Sequence, residues 1–584
     1  MTSLPPALIM IIGALVLLVA PRRLRSAAYL IFPVLALVLV MQLQEGAHLA
    51  YPFLSYELVP LRVDRLAIVF SYVFVIMSFI GGVYAFHVKD ALQQIASMLY
   101  VAGALGVVFA GDLFTLLVFW ELMAIASAGL IWAKRTERSR RAGLRYVLVH
   151  LFGGSVLMAG IMLHISQTGS IAFEVFDGSL ASYFILFGFA LNAAIPPLHA
   201  WLTDAYPEST VTGTVFLSAF TTKVAVYALA RGFAGYDMLI WAGAVMVIYG
   251  TVYAIIENDM RRLLSYSIVS QIGYMVTAVG IGTALAINGA AVHAFSHILY
   301  KGLLFMGAGA VIYTTGHSKL SELGGLRKLM PWVFALYMIG ALAISGFPLF
   351  SGFISKSMII SGADESHLLW VVVALYIASI GTFLHTGLKL PYLTWMGRDK
   401  GLKTERKVPA GMYIGMAMAA ALCIVIGIFP NLLYNLLPYP VEYHPYTTGH
   451  VIEAMQMLVL TALGFWFIKN LMGDKATITL DTDWFYRRAQ KPVYAVFVTF
   501  IANIYGTVEA AARYLAAKVV GFFGNPLGYS VLAVRRISGG DTGHHTRKRE
   551  PAYFVPDRYR ISVGVMVLIA LIAFVVLSAW HLLN

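Results

Sequence analysis

Charge and cysteine are both scarce in this sequence. Of its 584 residues, 12% are Asp, Glu, Lys or Arg, and only Cys423 is a cysteine. Soluble domains carry about twice that share of charge, so the chain is not a soluble domain. A single cysteine excludes disulfides and cysteine-based zinc or iron–sulfur sites. The net charge of +13 would suit nucleic acid, but no soluble basic domain exists to bind it.

Apolar residues are abundant, at 60% of the chain with a mean hydropathy of +0.80. Runs long enough to span a bilayer predict an all-α polytopic membrane protein with about 16 transmembrane helices. The first run is followed, not preceded, by basic residues, so we predict a retained helix and no cleaved signal peptide. The runs lie at 4–20, 26–43, 66–86, 92–110, 112–132, 144–165, 181–198, 211–233, 238–256, 263–282, 288–313, 332–360, 368–396, 411–430, 451–471 and 560–582.

Lysine and arginine fall mainly in alternate loops between these runs. If the N-terminus faces outward, the outside loops through residue 450 hold only Arg62, Arg65 and Arg231. The inside loops hold most of the other basic residues, as the positive-inside rule requires. We therefore predict a multi-pass protein of the inner (plasma) membrane with both termini on the outer side.

Two of the predicted helices are interrupted. Pro196-Pro197 ends the run at 181–198, and Gly346-Phe347-Pro348 breaks the run at 332–360. Proline inside a helix removes a hydrogen bond and frees a carbonyl, which is tolerated at membrane depth only beside protein or a water-filled cavity. Two separated breaks indicate an internal repeat with ion sites at the breaks. The alternative is a pair of kinks that only improve packing.

The segment 484–536 mixes aromatic and aliphatic residues with scattered charges, and no proline occurs from Val493 to Phe523. This pattern predicts a long amphipathic helix lying along the membrane. Such a helix would reach about 45 Å. The alternative is one more spanning helix at 493–512. The polar stretch 537–558 predicts a connector to the last helix.

The stretch AAVHAFSHILYKGLLF carries three protonatable side chains, His293, His297 and Lys301. Their i, i+4, i+8 spacing places them on one face of a helix, with about 6 Å of rise between neighbours. Groups at that spacing can be bridged by single waters, which is what a proton path through a bilayer needs. The alternatives are packing histidines, a haem or a metal site, which would want a further carboxylate or thiolate. We predict no cofactor and no metal.

Other ionisable side chains also fall at membrane depth, where a charge is costly and therefore a functional candidate. Glu121, Lys223 and Lys356 lie within predicted spans. A static ion pair could explain Glu121, and snorkelling to the surface could explain Lys223. Secondary candidates are His199, at a predicted cytoplasmic entrance, and His385 and Lys389, of which the lysine is the more easily explained by snorkelling.

Five motifs resemble those of the proton-antiporter superfamily, which comprises antiporter-like subunits of respiratory complex I, membrane-bound hydrogenases and Mrp-type cation/proton antiporters. The resemblance covers roughly 60–435. It implies two inverted five-helix repeats, each with a broken helix and half a channel, and other membrane subunits as partners. The C-terminal part resembles the distal, longest antiporter-like subunit of complex I. The motifs are AAVHAFSHILYKGLLFMGAGAVI, ENDMRRLLSYSIVSQIGYM, IPPLHAWLTDAYPE, FWELMAIAS and SGFPLFSGFISK.

The resemblance also implies roles for single residues. Glu121 matches the essential glutamate, Lys223 the residue bridging the half-channels, and Lys356 the terminal lysine or glutamate on the second broken helix. His293, His297 and Lys301 match the central hydrated axis.

One position departs from the family. Where relatives have a lysine in the first half-channel, this chain has Asn192, and an amide cannot exchange a proton at physiological pH. Lys223 would then take over as the partner of Glu121. Otherwise the glutamate and the amide would coordinate a cation, or the half-channel is silent.

These patterns predict a proton-translocating subunit of a multi-subunit complex, moving H⁺ alone or in exchange for Na⁺ or K⁺. One alternative is a mainly structural or coupling subunit clamped to its neighbours by the 484–536 helix. Another is a quinone-binding subunit, for which no dependable motif exists. The expected regions are N-terminal helices 1–90, a first repeat 91–235, a second repeat 236–397, further helices 398–475, the lateral helix and connector 476–558, and a last helix 559–584.

Overall fold

The computed structural model describes residues 4–469, 480–538 and 563–583. It divides the chain into two compact units, 1–483 and 484–584. Among these described residues, thirteen helices are long and apolar enough to cross a membrane, so the prediction of a helical, polytopic membrane protein is confirmed. The predicted connector lies outside the described residues over 539–558.

The first unit begins with two helices, a hairpin and a third helix, and the first set of five membrane-crossing segments follows. The elements are α1 Pro6–Val19, α2 Arg25–Gln42, β1 Gly46–Phe53, β2 Tyr56–Val63, α3 Arg65–Tyr84, α4 Ala91–Phe109, α5 Leu113–Trp132, α6 Glu137–Thr168, α7 Leu180–Asn192, α8 Ala200–Ala205, α9 Gly213–Ala219 and α10 Thr221–Gly232. Here α9 and α10 form one interrupted crossing.

The second set of five crossings follows directly and ends in a widened helix. Its elements are α11 Asp237–Ile256, α12 Met260–Ile281, α13 Ala284–Thr315, α14 Pro331–Ser345, α15 Ser351–Glu365 and α16 Leu369–Thr382, which continues as π-helix over Phe383–Lys389 and Tyr392–Met396. The unit closes with α17 Ala410–Ile428, α18 Asn431–Tyr434 and α19 Thr448–Ile468.

The two sets repeat one design. Helices α6 and α13 are both 32 residues long, and each is followed by a short apolar helix, of 13 residues for α7 and 15 for α14. Asp112 caps α5 and forms a backbone bridge with Ala172, while Asp259 caps α12 and bridges Lys319. Five crossings separate the two bridges, so they lie at opposite faces of the membrane. This arrangement agrees with the inverted repeat that the family resemblance implies.

Both predicted helix breaks are present, and the structure adds features that the sequence did not predict. The run at 211–233 breaks between Ala219 and Thr221, where Phe220 departs from helical geometry with φ −105° and ψ −69°. The loop before α3 is an antiparallel hairpin. Its Val59 accepts from Gly111 and donates to Asp112, which ties the hairpin to the turn between α4 and α5.

The most buried part of the first unit surrounds α13. The buried share of residues in an apolar 18-residue stretch differs from helix to helix. This share is 100% in α9–α10 and 94% in both α12 and α13, against 28% in α2 and 11% in α19. Helix α13 packs against both α12 and α15. The centre of the bundle is therefore where polar side chains have no access to lipid.

The second unit holds a longer helix than predicted. It runs as α20 Asp483–Tyr494, a π-helical turn Ala495–Phe500 and α21 Ile501–Gly524, and is followed by α22 Pro526–Ile537 and α23 Val563–Leu583. From Asp483 to Gly524 it would reach about 63 Å. The prediction of 493–523 was too short because Pro492 lies inside the helix. Its course relative to the membrane stays a prediction.

Candidate functional site

The centre of the bundle holds the predicted stripe of protonatable side chains on α13. His293, His297 and Lys301 are each 0% exposed. Nδ1 of His293 lies 2.9 Å from Oγ of Ser355 on α15, and its ring centroid is 6.2 Å from that of His297. The His293 end of the stripe is therefore fixed to α15.

His297 lies in the middle of this stripe and differs from its neighbours. Among the described residues, neither of its ring nitrogens has a hydrogen-bond partner, and the ring meets Tyr300 edge-on at 5.3 Å. Buried polar atoms are nearly always satisfied by protein or water. Two unpaired ring nitrogens at this depth therefore point to bridging water.

Two lysines flank the histidines. Lys301 donates from Nζ to Oγ of Ser267 on α12 at 2.8 Å. Lys356, just after the second break, donates to Oγ of Ser379 at 3.4 Å and lies 5.2 Å above the ring of Tyr274. That ring is in turn 5.6 Å from His293. The structure thus brings Lys356 into the same cluster as the stripe.

Lys223 is held by the unpredicted break in its own helix. Its ammonium donates to the carbonyl of Ser218 at 2.6 Å and to Oγ1 of Thr222 at 3.2 Å. The break between α9 and α10 frees that carbonyl, as interrupted helices do where they line protein or water. Lys223 is fully buried, so it does not snorkel. Its helix α10 packs against α13, the helix that carries His297.

Glu121 and Asn192 are not joined to Lys223. Glu121 is half-buried, with Oε1 packed against Gly154 of α6, and no ion pair or hydrogen bond links it to any described residue. Asn192 is 0% exposed, and neither atom of its amide has a partner in the described part of the chain. The expectation that Lys223 pairs with Glu121 has no support in these contacts.

A cavity of about 350 Å³ opens beside Lys356, between α15, α16 and α19. Its walls carry Ser361, Asp364, Tyr376 and Glu453. Asp364 lies near the end of α15 and Glu453 near the start of α19, so both acids lie toward the face that carries the α15–α16 turn. Sequence reasoning missed this vestibule because its acids belong to helices far apart in the chain.

His199 lies just beyond the first break and has an unexpected partner. Its Nε2 is 3.1 Å from the carboxylate of Asp481, which also accepts from the hydroxyls of Tyr249 and Tyr266. Asp481 lies in the short segment before α20 and is 5% exposed. Thr482 also reaches the carbonyl of Pro197, at 3.5 Å. The segment 481–482 therefore docks against the first break.

The two remaining candidates, His385 and Lys389, have different hydrogen-bond partners. His385 lies in the π-helical stretch, with Nδ1 2.7 Å from Oγ1 of Thr386 and Nε2 unpaired among the described residues. π-helical turns often mark functional positions. Lys389 donates to the carbonyls of Ile255 and Glu257 at 2.6 and 2.8 Å. It thus satisfies the end of α11, as cations at helix C-termini do.

The described part of the chain contains no cluster of metal-binding side chains. In 4–469, 480–538 and 563–583, no three His, Cys, Asp or Glu side chains are placed to hold a metal ion.

Residues 110–382 match the family model described as NADH:quinone oxidoreductase/Mrp antiporter, transmembrane. The chain is 33% identical over 351 residues to the D component of the Na⁺/H⁺ antiporter of Alkalihalophilus pseudofirmus, covering 56% of this chain and 70% of that protein. It is 32% identical over 383 residues to the N component of the NADH-quinone oxidoreductase of Desulforudis audaxviator, covering 59% of this chain and 76% of that protein. Its fold is similar to that of a chain in the membrane-bound sulfane sulfur reductase, an archaeal respiratory membrane complex. The TM-score is 0.69 at 23% sequence identity, and the match covers 92% of this chain and 99% of that one.

Proposed function

Because this chain belongs to the NADH:quinone oxidoreductase/Mrp antiporter transmembrane family and is a proton-translocating, antiporter-like subunit of a membrane complex, we propose that its protons cross along the buried stripe of α13. They enter near His199 or Lys223, and pass His297 and His293 with Lys301 beside them. The observation that carries this proposal is the row of fully buried protonatable groups on one face of α13.

The outward half of the path runs from Lys356 into the vestibule. A lysine in the middle of a bilayer costs about 3 kcal/mol, so His293, His297, Lys301 and Lys356, all buried in the bundle, need a reason beyond packing. The polar walls at Ser361, Asp364 and Glu453 supply a wet route from Lys356 to the surface. In the proposed orientation this face is the outer one, and both termini lie outside.

Coupling between the groups is electrostatic. Like charges this close disfavour each other's charged form, so a proton arriving at one group promotes release from the next. The path moves H⁺ alone, or H⁺ against Na⁺ or K⁺, in a complex with other membrane subunits.

The test uses the complex purified through a tag on this chain and reconstituted in liposomes with a trapped pH dye. Lys301→Met and Lys356→Met should each abolish proton uptake while leaving the subunits assembled. Lys328→Met, which removes an exposed lysine from a loop, is the matched control. Wild-type uptake in both buried variants would refute the path. Repeating the assay with Na⁺ or K⁺ gradients identifies the exchanged ion.

A mainly structural role is the second candidate, and the helix from Asp483 to Gly524 favours it. Its large apolar side chains are exposed within their own unit, which suits contact with lipid or neighbouring subunits. Deleting 484–536 separates the two functions. Lost assembly with unchanged uptake per remaining complex would assign the clamp to this helix and the path to the first unit.

A further inference from the structure

The first repeat holds a buried histidine that the proposed path does not use. His150 lies in α6 and is 1% exposed. Its Nδ1 is 2.9 Å from the carbonyl of Tyr146. A carbonyl can only accept, so the ring proton is on Nδ1 and Nε2 is the basic atom. Among the described residues Nε2 has no partner.

The ring of His150 is fixed between three helices. It stacks on Tyr146 with centroids 4.0 Å apart and meets Trp201 of α8 edge-on at 4.5 Å. Tyr146 is itself bonded through its hydroxyl to Ser127 of α5 at 2.8 Å. These contacts hold the imidazole in one orientation, so its free nitrogen keeps a fixed direction.

The same face of α6 meets the carboxylate of Glu121. Residues four apart on a helix share a face, with about 6 Å of rise between them, so His150 and Gly154 lie one turn apart on one stripe. Oε1 of Glu121 packs directly over Gly154. His150 and the carboxylate of Glu121 therefore border the same stripe of α6, one helical turn apart.

The repeat supplies an independent observation. The same interval separates Asp112 from Asp259, Ala172 from Lys319 and the first residue of α6 from that of α13. By this interval His150 corresponds to His297, the centre of the proposed path, so each repeat places a buried histidine at one position of its long helix. Each of the two rings has a nitrogen without a partner among the described residues.

We propose that His150 is a further proton-translocating residue, which exchanges a proton with Glu121 in the first half-channel, a role that the amide of Asn192 cannot fill. Nε2 takes up a proton to give the imidazolium, then passes it to the carboxylate, giving neutral imidazole and the carboxylic acid. No other reactant is required. This inference rests on the proposed function and extends its path into the first repeat.

The decisive experiment replaces His150 in the full complex and measures proton uptake in liposomes. His150→Gln keeps polarity but cannot titrate, and should lower uptake on the order of a hundredfold, the usual contribution of a proton-transfer group. His164→Gln, on the same helix near its other end, should keep wild-type uptake. Adding Asn192→Lys to His150→Gln should restore uptake, which no packing role of His150 predicts.

The results for His150→Gln and Lys301→Met together distinguish this inference from the central path. Wild-type uptake in His150→Gln with lost uptake in Lys301→Met would overturn this inference and leave the central path standing. Wild-type uptake in both would overturn the path itself. If the glutamine variant does not assemble, His150→Met and His150→Lys replace it. Uptake in the lysine variant alone supports proton exchange, and failure of all three to assemble would mark a structural residue and overturn the inference.

Discussion

The carboxylate of Asp481 lies 3.1 Å from Nε2 of His199, although 282 positions separate the two residues. Burial raises the pKa of Asp481, but hydrogen bonding and charge from His199, together with the hydroxyls of Tyr249 and Tyr266, outweigh it and hold this pKa below its ordinary value. The group is therefore ionised at neutral pH, and a segment from the C-terminal part of the first unit is fastened to the first broken helix.

Removing that charge should release the segment. A carboxylate with a lowered pKa stabilises the docked state fully above its ordinary pKa of about 4, and the stabilisation is lost as pH falls through the lowered value. We therefore expect Asp481→Asn to expose the chain around 480–482 to protease at pH 7, where the native protein is protected. Asp399→Asn, which changes an exposed loop carboxylate, should not. Equal cleavage of the native and Asp481→Asn proteins would contradict the docking.

The position of Glu121 can be tested without removing its charge. A methyl group at Gly154 would overlap Oε1 of Glu121, so Gly154→Ala must displace the carboxylate. We expect assembly to persist and proton uptake to fall at least about tenfold, since misplaced proton-transfer groups lose most of their effect. Gly464→Ala, in a helix with open space at that point, is the control. Unchanged uptake in Gly154→Ala would mean that the carboxylate has no fixed role.

The amide of Asn192 should contribute nothing to stability. A buried polar group without a partner costs about 1–3 kcal/mol, so Asn192→Leu should leave the melting temperature unchanged or raise it. Asn288 provides the contrast, because its amide bonds both backbone atoms of Tyr439. Asn288→Leu should lower the melting temperature by several degrees. A comparable loss in Asn192→Leu would reveal a bound water or cation at that amide.

The vestibule beside Lys356 should be reachable by water from one face only. The single native cysteine, Cys423, is buried, so new cysteines can be labelled against a quiet background. Ser361→Cys, on the vestibule wall, should react with a membrane-impermeant maleimide added outside intact cells. Ser127→Cys, which is 0% exposed, should not react from either face. Labelling of Ser361→Cys only from the cytoplasmic face would reverse the proposed orientation.

Much of this arrangement could be predicted from local patterns. Long apolar runs predicted the spans, and Pro196-Pro197 and Gly346-Phe347-Pro348 predicted two of the breaks, because proline and glycine act on the backbone where they occur. The i, i+4, i+8 stripe on α13 was equally local. The roles of these side chains in transport stay predictions that the experiments above address.

Other features had no local signal. The break at Phe220 has no glycine or proline beside it, and it lies where Lys223 binds the freed carbonyl of Ser218. The contact of Asp481 with His199 depends on chain folding across the whole first unit. The importance of His150 became visible only when α6 and α13 could be compared as equivalent helices.

The two backbone bridges, Asp112 with Ala172 and Asp259 with Lys319, have a mechanical consequence. Each fastens the start of one helix to the link between the next two, and they do so on opposite faces. A frame braced at both surfaces resists tilting and sliding of its helices. For the path that we propose, we therefore expect water arrival and side-chain reorientation to set the barrier to each transport step, without alternation of the subunit between two shapes.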